Sequence, residues 1–407
     1  MPLPGGPVFR TGVVRGGSYR PGMTARPSLT DAQRSVRLAR RHLLAPPLRA
    51  DTVEAVADAL VALHASDPAT VYLSAGARLA RPDAAEVDRA LYEDVTLVRL
   101  LAMRRTLFAV TEEFAPYVSA GAARPVAARE RATLLKRLSE HAQGWDEARL
   151  ARTQDRVLAA LARRGEATTA ELTQDVPELR ETMLMSPGKP YEARQSVGSR
   201  LLRLLASDGH VRRARPRGSW TSNVHPWAPA PQWPEVPAAR ARAEIVRRWL
   251  ASYGPGTEAD VKWWTGWTLR DTRAALADLG AVETGAGYVL PGDEEPDAEV
   301  APWVALLPGL DPTAMGWRGR DWYLDPAHVP ALYDRAGNVG PTVWCDGRIV
   351  GGWAQRPDGT IAWRVLTDIG RQAQQAVETE AARLVGWLAG TRVTPRFRTP
   401  LERELAS

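Results

Sequence analysis

Lysine is nearly missing from this chain. Lys136, Lys189 and Lys262 are the only three, in 407 residues whose lysine and arginine together number 53. The positive charge therefore rests on arginine, whose planar guanidinium clamps phosphates and reads base edges better than an ammonium does. A GC-rich coding sequence gives the same bias without any ligand, so the placement of the arginines matters more than their number. Cysteine is scarcer still. Cys345 stands alone, which excludes an internal disulfide and a cysteine cage for a metal, and fits a reducing cytoplasm. No apolar run approaches the roughly 18 residues a membrane span needs. There is no phosphate-cradling glycine loop and no serine-nucleophile elbow. His42, His141, His210, His225 and His328 lack partners at metal-ligand spacing, so neither metal nor cofactor is expected.

What is present is the composition of a folded protein, 44% hydrophobic and 25% charged. The net charge of +6 permits an acidic partner such as nucleic acid. The length suggests about three domains. Residues 1–28 are rich in Gly, Pro and Arg without hydrophobic periodicity and read as a disordered leader, with Met23 an alternative start.

Beyond the leader the order of elements repeats. Between Gln154 and His225 it runs helix, helix, helix, hairpin. Thr168 and Glu171 make a capping box, Gly209 ends the third helix, His210 to Arg215 reads as a strand, Pro216 to Gly218 as a turn and Ser219 to Ser222 as the returning strand. A second copy starts at Ala239, with a box at Thr257 and Asp260, a helix Leu269 to Leu279 closed by Gly280, and a hairpin of Val282 to Thr284 with Tyr288 to Leu290. A looser copy comes first, with helices near 31–44, 52–64, 68–79 and 83–92 and a hairpin around Met103-Arg104-Arg105. From Trp303 to Leu366 short strands alternate with turn signals, and a helix follows from about Ile369 to Leu388. The expected architecture is α+β: three tandem winged-helix modules, at 29–120, 150–228 and 238–292, with a C-terminal antiparallel β-barrel-like domain at 300–407.

Two stretches carry chemistry. In Leu63-His64-Ala65-Ser66-Asp67-Pro68 the stripe Val53, Val56, Leu60, Leu63 reads as one helix, and Asp67-Pro68 as the capped start of the next. A hinge between them lets His64 and Ser66 point the same way, whereas on an unbroken helix residues two apart diverge. The plain alternative is a helix cap and a last-turn histidine. The second stretch is the wing with Arg212, Arg213, Arg215, Arg217 and Ser219, joined by Arg104, Arg105 and Thr106 of the first hairpin. Such charges suit a phosphate backbone, or else keep an edge strand soluble.

The chain resembles the winged-helix HTH_42 superfamily, which includes the AlkZ-like and YcaQ-like bacterial DNA glycosylases. The resemblance runs over nearly the whole chain beyond the leader. It is carried by 63–68, Met103-Arg104-Arg105-Thr106-Leu107, Tyr253-Gly254-Pro255-Gly256-Thr257-Glu258-Ala259-Asp260, Leu306-Leu307-Pro308-Gly309-Leu310-Asp311, and Gly340 to Gly351. It implies a concave DNA cleft and water-assisted excision of alkylated or bulky-adducted purines from double-stranded DNA, by a monofunctional, metal-independent monomer in the cytoplasm, at the nucleoid. The family motif of glutamine, apolar residue, then glutamine or aspartate falls on His64 and Ser66, which both depart from it, and a common Arg-Gly-Thr-Leu-His run becomes Arg104 to Phe108. In the catalytic reading His64 orients or activates water, Ser66 supports it and Asp67 caps or stabilises charge. The alternatives are a non-catalytic DNA-binding protein, either regulator or damage sensor, and a scaffold turned to another task.

Overall fold

The computed structural model describes residues 28–141, 144–185, 188 and 192–407. All but the last residue of the expected leader thus lies outside the described residues. Thr30 and Gln33 form a capping box that starts the helix Asp31–Arg41, and Thr52 caps Val53–Ala59. That second helix stops earlier than its apolar stripe implies. Val61 takes a positive φ of 64°, and the chain turns into a two-residue strand, Leu63–His64. The strand pairs antiparallel with Leu107–Thr111, placing Leu63 opposite Ala109 and His64 opposite Phe108, and Leu97–Leu101 completes the three-stranded sheet. His64 is therefore a strand residue, not part of a hinge between two helices. Leu63 is fully buried in either geometry, which is why the stripe misled.

Asp67 caps the next helix, Pro68–Arg78, and every residue of that helix is buried. The middle of the chain has its own core, built from the helices Glu147–Arg164 and Val197–Ser207 around Leu150, Val157, Leu201 and Trp227. Two features there differ from expectation. A hairpin of Thr182–Met185 with Ala193–Ser196 precedes the third helix. The strand Val211–Arg213 is answered by Trp227–Pro229 and not by Ser219 to Ser222, with Arg213 opposite Trp227. Trp227 fills the local core, while Trp220 leaves it to stack on Tyr72 at 4.8 Å and lie tilted against Trp387 at 6.0 Å. Packing, not the turn signal, sets the pairing.

The next segment follows its sequence pattern closely: helices Ala238–Tyr253, Glu258–Thr265 and Leu269–Asp278, then the strands Val282–Thr284 and Gly287–Val289. The C-terminal strands do not close a barrel. Val304–Leu307, Thr342–Cys345, Arg348–Gln355 and Ile361–Val365 form an open antiparallel sheet in that order. The helix Gly370–Leu388 supplies the covering that closure would have given: its Val377 and Ala381 pack on Val304, Leu306, Val343 and Trp353. No described helix is long and apolar enough to cross a membrane.

A buried ion pair ties these parts together. Arg78 and Asp311 are both fully buried, and the guanidinium grips the carboxylate with two bonds, Nη1 to Oδ2 at 2.9 Å and Nη2 to Oδ1 at 2.7 Å. Ser74 Oγ and the Thr313 N–H donate to the same carboxylate. Arg78 also reaches the carbonyls of His42 and Ser74 and the hydroxyl of Thr313. Burial alone would raise the Asp311 carboxyl, but Arg78 holds it below its ordinary range. Removing one partner strands the other charge in a dry interior. Arg78→Leu is expected to cost about 3–5 kcal/mol, read as a lowered urea midpoint with the unfolding slope unchanged; a loss under about 1 kcal/mol would show the pair to be dispensable.

Candidate functional site

A cavity of about 490 Å³ opens between the first sheet and the middle of the chain. Four elements and the C-terminal tail supply its walls. Arg99 and Arg105 come from the first hairpin, Arg137 from the helix Arg124–His141, Arg200 and Arg203 from the helix Val197–Ser207, Arg213 from the strand after it, and Arg396 from the tail. Ser66 lies on the same wall, and Glu130 is the single carboxylate-bearing residue among the described lining residues. The floor is apolar, with Leu134, Met183, Met185 and Trp227.

These arginines differ from most others in the fold. Elsewhere guanidiniums are matched with acids, as in Arg37 with Asp297, Arg49 with Glu380 and Arg164 with Asp175. Among the cavity arginines only Arg105 has an ion pair within the described residues, to Glu130. Arg99 donates to Tyr92 Oη, Arg200 to Gln195 Oε1 and Arg396 to the Ser66 carbonyl. Burial, then Arg99 and Arg203 nearby, lowers Arg213 to about 10. Burial, then Arg203 and Arg137, also lowers Arg200. The walls thus hold like charges against one another in a half-desolvated space, an arrangement that an entering anion relieves.

The residues singled out in the sequence scatter around this cavity. Ser66 is half-buried on its wall. His64 lies behind the wall, 5% exposed and edge-on to Phe108 at 5.4 Å. Burial first, then Arg104, pushes its imidazole down to about 3. Its Nδ1 meets the Ser66 N–H at a long 3.5 Å. Asp67 has no free oxygen: Oδ1 accepts from the Ala69 N–H at 3.1 Å and Oδ2 from the Arg396 N–H at 2.9 Å. It is a cap that also pins the tail.

Arg104 turns away from its neighbour. It stacks on Trp263 at 4.0 Å, with burial and then Arg320 lowering it to about 10, while Arg105 faces the cavity. Thr106 is half-buried in the turn between them and the strand Leu107–Thr111. Along the wing, alternate strand residues face opposite ways, so Arg213 lines the cavity and Arg212 does not. Arg215 pairs with Glu93 at 2.6 Å and Arg217 with Glu171 at 3.0 Å, and Ser219 accepts hydrogen bonds from Thr221. The two arginines therefore hold the loop against the protein, while Ser219 braces it from within. Sequence reasoning missed Arg99, Arg137, Arg200, Arg203 and Arg396. Only the polar face formed by Arg200, Arg203 and Ser207 at helical spacing offered a signal.

A walled trough of guanidiniums, most of them without an ion pair among the described residues, is the class of site that receives a polyanion. The comparisons agree with that class. Residues 57–387 match the DNA glycosylase AlkZ-like family, and the chain belongs to it. The interstrand DNA cross-link repair glycosylase of Streptomyces sahachiroi is 31% identical over 165 residues, covering 37% of this chain and 44% of the relative. The match therefore spans less than half of that relative's length. The solved structure of the Streptomyces sahachiroi DNA glycosylase AlkZ covers 90% of this chain and 98% of its own, with a TM-score of 0.66 at 22% identity. That likeness is one of fold.

The buried histidines set a pH dependence. His42, buried first of all and then opposed by Arg78, is likewise pushed down to about 3. Both imidazoles stay neutral in the fold but take up a proton near 6.5 once unfolded. The unfolded chain thus binds more protons between about pH 6.5 and 3, so their stabilisation is complete above that window and lost as pH falls through it. Each contributes a slope of at most about 1.4 kcal/mol per pH unit. The wild type should therefore lose more stability than His64→Asn between pH 7 and pH 5, measured by urea unfolding. An unchanged gap would mean that the imidazole is not held neutral.

Proposed function

We propose that this chain is a DNA glycosylase that hydrolyses the N-glycosidic bond of alkylated or bulky-adducted purines in double-stranded DNA, acting as a monomer. The observation that carries the reading is the cavity in which Ser66 sits among arginines with almost no acids to pair with. Phosphates are the natural partners for such groups, because each neutralised phosphate releases counterions. Family membership points to the same chemistry.

In this reading the first three segments, 29–120, 150–228 and 238–292, are winged helices, and 300–407 is the platform that holds them. The sheet order of the first segment, with Leu63–His64 beside Leu107–Thr111 and then Leu97–Leu101, supports the winged-helix assignment. The target nucleotide leaves the stack and enters the cavity. An N7-alkylated purine already carries positive charge, so it leaves with modest help. Ser66 holds the attacking water at the wall. His64, sealed and neutral, positions the turn behind it, and Asp67 fixes that turn by capping.

The test is release of abasic sites from duplex DNA carrying N7-alkylguanine. Release above background is expected, with Ser66→Ala slower by about tenfold, the value of one lost hydrogen bond to water. Arg203→Ala should weaken DNA binding and reduce the slope of log affinity against log salt by about one. No release by the wild type defeats the assignment for this substrate. The burial of His64 favours a second reading, a damage sensor without catalysis. Lesion-selective gel shifts without base release would identify it.

A further inference from the structure

Hydrolysis of a glycosidic bond builds positive charge on the sugar and requires the attacking water to lose a proton. The turn at 64–67 supplies neither a free anion nor an exposed base. Both oxygens of Asp67 are taken by backbone N–H groups, and His64 is sealed behind the wall. The Ser66 hydroxyl can orient water but is a poor proton acceptor. The reacting centre therefore lacks a carboxylate on that side.

The cavity contains one elsewhere. Glu130 projects from the helix Arg124–His141 and is the sole carboxylate among the lining residues. Its side chain keeps 22% of its exposure and is held by the Arg105 guanidinium. The hairpin end that carries Arg105 is also the support of the Ser66 turn, since the Ala65 N–H donates to the Leu107 carbonyl at 2.8 Å. One short segment, 105–107, thus joins the acid to the serine.

A carboxylate in a trough built for phosphates opposes binding. Every other polar charge lining the trough is positive. An anion there helps catalysis where positive charge grows during the reaction: the alkylated base brings its charge with it and loses it on leaving, whereas the sugar ring gains charge as the bond breaks. The geometry points to Glu130 as the catalytic carboxylate of this site, facing the developing oxocarbenium and taking the proton of the attacking water. The inference rests on the glycosylase reading above. In the step, the C1′–N9 bond breaks and its electron pair neutralises the departing N7-alkylpurine. The oxygen of water bonds to C1′, and its proton passes to Glu130 and then to solvent. No oxidant or co-reactant is needed. The Arg105 pair holds the carboxylate in place between turnovers.

Glu130→Gln tests this, because the amide keeps the size of the side chain while removing its charge and basicity. Three quantities are read on the full chain: affinity for duplex DNA carrying N7-alkylguanine, the single-turnover rate of base release at saturating protein, and the thermal midpoint. The expected result is a rate lower by about a hundredfold, with affinity equal to the wild type or a few-fold tighter and the midpoint little changed. Glu130→Asp should recover part of the rate. An active wild type with Glu130→Gln within threefold of its rate overturns the proposal. So does a joint fall of affinity, midpoint and rate, which would make Glu130 only a brace for Arg105. A wild type that releases no base fails at the earlier step and takes down the glycosylase reading itself.

Discussion

The buried grip of Arg78 on Asp311 fixes where everything else in this fold can sit. Those two residues are 233 positions apart. One ends the wholly buried helix Pro68–Arg78, and the other ends the segment that follows the first strand of the C-terminal sheet. A buried pair of this kind need not stabilise more than apolar packing would, but it tolerates only one arrangement of its neighbours. The network extends that demand. Thr313 links Arg78 to His42, and Ser252, 3.3 Å from His42 Nε2, donates to the Ala59 carbonyl, carrying it to the helix Ala238–Tyr253. Three distant parts of the chain share one register. At the end of the helix Pro68–Arg78 opposite Arg78, Asp67 and Ser66 inherit that register. The wall of the cavity is therefore positioned from its far side.

The division of arginines follows from the near absence of lysine. A guanidinium gives up water more readily than an ammonium and can be held by flat, directional contacts. Outside the cavity, carboxylates satisfy most guanidiniums. Inside, Arg105 pairs with Glu130, but a hydroxyl, an amide and a carbonyl hold others without neutralising them: Tyr92 Oη beside Arg99, Gln195 beside Arg200, the Ser66 carbonyl beside Arg396. The guanidiniums are thus oriented in advance and still carry their full charge. Lysines on flexible stems would not stay so ordered when set against one another.

Much of the fold was legible in the sequence where the signal is local. The boxes at Thr168 with Glu171 and Thr257 with Asp260 start helices where the residue types require, and the hairpin around Met103 to Arg105 forms as its alternation implies. Signals decided by distant packing were not legible. Leu63 fits the inner face of a helix or of a strand equally well, and only its partner Ala109 selects the strand. The pairing of Val211–Arg213 depends on where Trp220 and Trp227 go, and Trp220 goes to Tyr72 on another segment. Of the barrel-like domain the antiparallel strands formed but closure did not, because a helix covers the sheet. The candidate site was half legible. A run such as Arg212 to Arg217 attracts notice because its charges are adjacent, yet a strand sends neighbours to opposite faces and a loop can spend them on internal pairs. Arg396, which meets Ser66 from 330 positions away, leaves no local trace at all.

The same strand that supplies Arg213 to the cavity also anchors the loop that bounds it. Beyond Arg213, Arg215 clamps Glu93 and Trp220 wedges between Tyr72 and Trp387, so the middle of the chain is tied to helical segments of the first part and to the C-terminal helix. The width of the cavity is then set by packing and not by the ligand. On the glycosylase reading proposed above, a positively lined space with a neutral histidine behind it and a short hydroxyl at its wall would do little to activate an unmodified base. Its leverage would lie in attracting the phosphates and holding water near the sugar. Such a site would act best on a base that brings its own positive charge to the departure, and undamaged purines lack that charge. On that reading, selectivity for alkylated bases would arise from the modest help the site gives, without a pocket that must read each lesion.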